Sequence, residues 1–110
     1  MTANVAAWML LVISGIAEVV WAIATKFSNG FTRFGWASAS VLSLVVVVAA
    51  LTFALKSLPL GPAYAVWTAI AATGTVLAGV WFFGESLGPL RLVAIAVIIL
   101  AVIALQILPA

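Results

Sequence analysis

Residues Ala6–Thr25, AAWMLLVISGIAEVVWAIAT, form an apolar run of about twenty residues broken by one ionisable side chain, Glu18. With a rise of about 1.5 Å per helical residue, such a run is long enough to cross the hydrocarbon core of a bilayer. A carboxylate at that depth is costly unless it is neutralised, paired or wetted, which marks Glu18 as a candidate functional group. The rest of the chain reads most easily as its housing.

The chain has 110 residues, 68% of them hydrophobic and 5% charged, too little polar surface to cover a soluble globule. Its apolar positions come in long runs rather than alternating, which predicts helices and disfavours a transmembrane β-barrel. Cysteine and histidine are absent, so disulfides, thiol chemistry, the common zinc sites and any other metal centre are not expected. No nucleophile–base pair suggests an enzyme, and no cofactor is implied. Four cations are too few for a nucleic-acid surface. Ala22-Ile23-Ala24 has the small-x-small form of a signal cleavage site, but no Lys or Arg precedes the long apolar run, which is read as a retained helix.

The sequence predicts an all-α membrane protein with four spans, about 6–25, 35–55, 63–83 and 91–108, in one transmembrane domain. Asn29-Gly30, in the loop Phe27–Arg33, tolerates positive φ. Ser57–Pro62 breaks the chain through Pro59 and Pro62, Gly84–Pro89 is the third turn, and Pro109 closes the last span. Short connections predict an up-down bundle with both termini on one side. So few helices cannot both surround a hydrophilic site and shield it from lipid, which implies a dimer with two copies of Glu18 facing a shared cavity.

Helical spacing places Ser14, Gly15, Trp21, Ala22 and Thr25 on the face of Glu18, a pattern of a cavity wall rather than a lipid face. No Lys or Arg lies inside a span to pair with the acid, so its natural partners are a proton or a cation; interhelical bonding by a protonated acid is the structural alternative. On the third span Tyr64, Trp67, Thr68, Ala71 and Thr75 share a stripe that could line the same cavity, since aromatic faces attract cations. A membrane-interface belt is the alternative for Tyr64 and, less so, for Trp67. Ser43 and the other hydroxyls of the second span often bond to their own helix. On the last span Ala94, Ala101 and Ala104 suit either an oligomer interface or a lipid face.

Glu18-Val19-Val20-Trp21, Lys26–Arg33 (KFSNGFTR) and Leu58–Thr68 (LPLGPAYAVWT) resemble the small multidrug resistance family across essentially all four spans. Trp21 after the glutamate and Lys56 before Ser57-Leu58-Pro59 look like its guanidinium-exporter subtype. The resemblance implies an antiparallel dimer in the bacterial inner membrane that exchanges protons for a small cationic substrate by alternating access. Glu18 would be the shared proton and substrate site, with Trp21, Tyr64 and Trp67 as its neighbours. Guanidinium is planar with forked donors that match a carboxylate bidentately, whereas a quaternary ammonium has no N–H donor.

Two segments depart from the family pattern. Val47 stands where a serine in the second helix supports the glutamate, with Ser43 one turn earlier as the candidate replacement. Ala69-Ile70-Ala71 replaces a Gly-x-Gly associated with a kink, and alanine favours helix over glycine by about 1 kcal/mol. Lys26, Arg33 and Arg91 against Lys56 lean toward both termini outside by the positive-inside rule. The alternatives are a broad quaternary-ammonium exporter of the same family, one subunit of a paired heterodimer, a non-transporting helper subunit, and a structural membrane protein.

Overall fold

The computed structural model describes residues 2–108, and among them four α-helices follow one another: α1 (Thr2–Phe27), α2 (Phe34–Leu55), α3 (Leu60–Phe83) and α4 (Pro89–Ile107). All four are long and apolar enough to cross a membrane, and the chain is a multi-pass membrane protein. The closure expected from Pro109 lies outside the described residues. Leu108 before it is extended, at φ −72° and ψ 142°, as steric conflict with a following proline favours.

Three helices start earlier than expected, α1 at Thr2 rather than about Ala6, and α3 and α4 by taking in a proline. Helix α3 begins at Leu60 rather than near Ala63, with Pro59 as its extended N-cap. Pro62 therefore sits inside the first helical turn, where a missing N–H removes no intrahelical bond. Pro89 likewise opens α4 from inside, with a fixed φ suited to a helix start.

The first turn contains three successive left-handed residues, Asn29 (φ 50°), Gly30 (φ 70°) and Phe31 (φ 65°). Asn29 and Gly30 suit that conformation, but Phe31 is strained there. Ser28 holds the turn: its hydroxyl donates to the Thr25 carbonyl at 2.6 Å and accepts the Phe31 N–H at 3.1 Å. The third turn leaves α3 through Gly84 at φ 65°, and the Glu85 N–H then donates back to the Gly79 carbonyl at 3.1 Å.

The helices do not close into a ring. Helix α1 packs against α2 and α3, while α4 packs against α3. The result is a flat slab, 46 × 35 × 17 Å, with α1 and α3 inside and α2 and α4 on the flanks. Small residues allow this close approach: Ala7, Ala54 and Ala63 join Leu11 and Leu58 in one buried cluster. No described α4 residue is buried, so Ala94, Ala101 and Ala104 stay exposed. Gln106 Nε2 donates to the Pro62 carbonyl at 3.0 Å and ties the end of α4 to the start of α3. Between these helices a cavity of about 440 Å³ is lined by Val66, Ile70, Thr73, Ile99 and Val102, and the buried Thr73 hydroxyl has no partner.

Helices α1 and α2 are joined by a hydroxyl pair, Thr25 Oγ1 and Ser40 Oγ, 2.7 Å apart. An interhelical hydrogen bond within a membrane contributes about 0.6 to 1.7 kcal/mol. Ser40→Ala is expected to lower the thermal unfolding midpoint in detergent, with Thr25→Ser retaining it. An unchanged midpoint in Ser40→Ala would show that the pair adds nothing.

Candidate functional site

Glu18 lies near the middle of α1 and is half-buried. The lipid-directed face of α1 carries Met9, Val12, Ile13, Ile16 and Val20, all exposed. The opposite face holds Ser14 and Gly15, both buried, and Trp21, Ala22 and Thr25, all partly buried. The small and polar stripe around the acid is thus turned toward α2 and α3. Among the described residues no hydrogen bond or ion pair engages the Glu18 carboxylate.

Close approach of α1 and α3 at this level depends on two glycines. A Cβ on Gly15 would lie 2.8 Å from Ile70 Cγ2, and one on Gly74 would lie 2.5 Å from Val19 Cγ2. Both pairs flank Glu18 along α1. The spacing of the two helices beside the acid is therefore set by the absence of side chains.

Ser14, one turn before Glu18, is fully buried and links three helices. Its hydroxyl donates to the Val47 carbonyl of α2 at 2.8 Å and accepts the Trp67 indole N–H of α3 at 3.0 Å. Tyr64 joins this group through its ring, whose centroid is 5.0 Å from that of Trp67 at an interplanar angle of 37°. The structure thus brings Ser14, Trp67 and Tyr64 together, with Ser14 one turn before Glu18 on α1 and Gly15 at the helix crossing. Tyr64 is exposed at the margin of the group, and Trp67 is partly buried within it.

Ser43, Thr68 and Thr75 keep their hydroxyls within their own helices. Ser43 donates toward the carbonyls of Ala39 at 2.8 Å and Ser40 at 3.0 Å. Support across the helices comes instead from Ser14, opposite Val47. Thr68 is exposed and donates to the Tyr64 carbonyl at 2.8 Å, while Thr75 donates to the Ala71 carbonyl at 2.8 Å. The sequence pointed to Ser14 as a lining residue but did not show its link to Val47, because the acceptor there is a backbone carbonyl.

Beyond Glu18, toward the first and third turns, a cavity of about 170 Å³ opens between α1 and α3. Ala22, Lys26, Thr75, Phe83 and Glu85 contribute to its wall. Lys26 Nζ lies 5.3 Å from the centre of the Phe83 ring, and the Glu85 carboxylate rests against Gly79. Phe27 stacks between this group and α2, 4.8 Å from the rings of both Trp36 and Phe83. Among the described residues, no group of three His, Cys, Asp or Glu side chains is placed to hold a metal ion.

A carboxylate with no partner among the described residues, one turn from Trp21 and within a span apolar enough to cross a membrane, is chemically suited to hold a proton or a small cation. The family model described as Small Multidrug Resistance protein matches residues 6–98. A relative from Escherichia coli (strain K12), named Guanidinium exporter, is 46% identical over 99 residues, which cover 90% of this chain and 94% of the relative. Proteins of the same name from Citrobacter freundii and Salmonella typhimurium are 41% identical over 99 residues with the same coverage. The chain belongs to the small multidrug resistance family.

Proposed function

We propose that this protein exports guanidinium or small guanidinyl cations across the bacterial inner membrane in exchange for protons. The observation that carries the reading is the mid-span Glu18 carboxylate, which has no partner among the described residues and lies one turn from the Ser14 that holds Trp67, in a chain whose relatives bear the name Guanidinium exporter. Proton and cation compete for one carboxylate, because each removes the penalty of a charge in a low-dielectric site. Competition at a site that opens alternately to the two sides produces antiport when the empty, unprotonated carrier reorients slowly.

The active unit in this reading is an antiparallel dimer. A single slab leaves Glu18 half-exposed and α4 without a buried residue, so one copy does not shield the site from lipid. A second copy inserted in the opposite sense would complete the cavity and bring a second Glu18 to it. Trp21, Tyr64 and Trp67 supply the aromatic surface around the cation, and Ser14, Gly15, Ser43 and Thr68 line or support the same region.

The test is the transport current of the purified protein in liposomes, first on adding guanidinium and then on adding a tetraalkylammonium ion. A guanidinium current that depends on the proton gradient, with little response to the second ion, is the expected result. Equal responses would favour a broad quaternary-ammonium exporter. One observation favours a second reading: α3 runs as continuous helix through Ala69-Ile70-Ala71, which opposes the kink that lets identical subunits differ in shape. A folded sample silent to both ions would point to a paired heterodimer and overturn the self-sufficient exporter.

A further inference from the structure

Besides Glu18 the chain carries one further acid, Glu85, and the fold brings it to the same pair of helices. The cavity of about 170 Å³ between α1 and α3 runs from Ala22, one turn beyond Glu18, to Lys26 and Glu85, which are both exposed. The backbone turns Glu85 into this cavity. Gly84 reverses the chain at φ 65°, the Glu85 N–H donates to the Gly79 carbonyl at 3.1 Å, and the carboxylate rests where a side chain on Gly79 would stand. Among the described residues that carboxylate accepts no hydrogen bond and joins no ion pair. Helix α1 contributes Lys26 to the same wall, with its Nζ 5.3 Å from the centre of the Phe83 ring. Arg91, the other cation beside this turn, is directed to the Ser86 carbonyl at 2.7 Å. A carboxylate, an aromatic ring and a resident ammonium thus line one opening, with room for a small planar ion and water.

We infer that Glu85 and the Phe83 ring form an outer site for guanidinium between Glu18 and solution, and that Lys26 is the built-in cation the ion displaces there. The inference rests on the reading of Glu18 as the central cation site. Guanidinium matches a carboxylate with two parallel N–H donors, stacks on an aromatic face and is weakly hydrated, whereas an ammonium is a strongly hydrated point charge. The ion therefore wins the site from lysine when it arrives. Lysine holds the site without blocking it, because its flexible stem lets the charge withdraw to the exposed rim and return when the ion leaves. That return matters for export: an acid left alone at this mouth would retain the cation and slow its release.

The experiment compares the full-length protein with Glu85→Gln, Lys26→Gln, the double variant and Lys26→Arg, reading KM and kcat of guanidinium transport in liposomes. Both positions are exposed, so the variants should fold. Glu85→Gln is expected to raise KM, and Lys26→Gln to lower both KM and kcat, each by roughly three- to fivefold, as an exposed charge pair allows. The double variant should match Glu85→Gln, because without the acid the lysine has nothing to vacate. Lys26→Arg keeps the charge but can hold Glu85 bidentately and stack on Phe83, so its KM should rise as in Glu85→Gln. Binding is read separately from the side-chain carboxyl ¹³C resonance in Glu18→Gln, where Glu85 is the one glutamate left. Guanidinium in the millimolar range should shift that resonance, and adding Lys26→Arg should suppress the shift. A Lys26→Gln effect that persists in the double variant, or a Lys26→Arg variant with wild-type KM, reduces Lys26 to a surface charge and overturns the inference. So does an unmoved Glu85 resonance. A wild-type chain that moves no guanidinium while this resonance shifts brings down the exporter reading and leaves the outer site standing, whereas an active chain whose KM ignores Glu85 brings down the outer site alone.

Discussion

Glu18→Gln is expected to abolish guanidinium-driven proton movement and to leave insertion, helix content and oligomeric state unchanged. Glutamine matches glutamate in size but can neither release a proton nor hold a cation by charge, so it removes both halves of the exchange. The fold should tolerate the change because the carboxylate has no hydrogen bond or ion pair among the described residues, and no buried donor is orphaned by its loss. That separates Glu18 from Ser14, whose removal leaves the Val47 carbonyl and the Trp67 N–H without their partner. The measurement is transport current together with circular dichroism and size-exclusion profiles. A Gln variant with wild-type current would sink the model. Glu18→Asp should retain coupling, since the charge remains and only its reach is shortened.

The second large effect is expected at Gly74. Its built Cβ would stand 2.5 Å from Val19 Cγ2 and 3.5 Å from Val19 Cβ. Valine is stiff at χ1 and cannot swing its methyl aside cheaply, so Gly74→Ala must push α1 and α3 apart beside Glu18. Overpacking of this kind costs about 1–3 kcal/mol, partly offset by alanine's better helix propensity. Val19→Ala removes the colliding methyl groups, and the double variant should recover much of the lost stability and transport. A double-mutant cycle with unfolding midpoints in detergent measures the coupling between the two positions. A neutral Gly74→Ala single variant would mean that the crossing has slack and that this contact does not set the spacing at the acid.

Much of the architecture is legible locally. The four spans, the Asn29-Gly30 turn and the Gly84 exit follow from run length and from residues that accept positive φ, and these depend on little beyond the neighbouring chain. The identity of the face around Glu18 was equally legible, because helical periodicity alone places Ser14, Gly15 and Thr25 beside it. The start of α3 was not: Pro59 and Pro62 look alike as helix breakers, and only the position of the first turn tells a cap from an N-terminal helical residue. The left-handed Phe31 had no signal, since its strain is held by a hydrogen bond to Ser28.

What the sequence by itself determined is a chain that must live in a bilayer as four helices with one acid in mid-span, since apolar length and the cost of a lone carboxylate in lipid leave little choice. What only the tertiary structure decided is which groups the acid's neighbours engage. A hydroxyl on a helix can bond to its own turn, as Ser43 and Thr68 do, or across helices, as Ser14 does, and the choice depends on what the facing helix presents. Here that is the carbonyl of Val47, a group every residue carries and no residue type announces. The same holds for Gly15 and Gly74: their composition permits close approach, but only the crossing of α1 and α3 decides that Ile70 and Val19 fill the space.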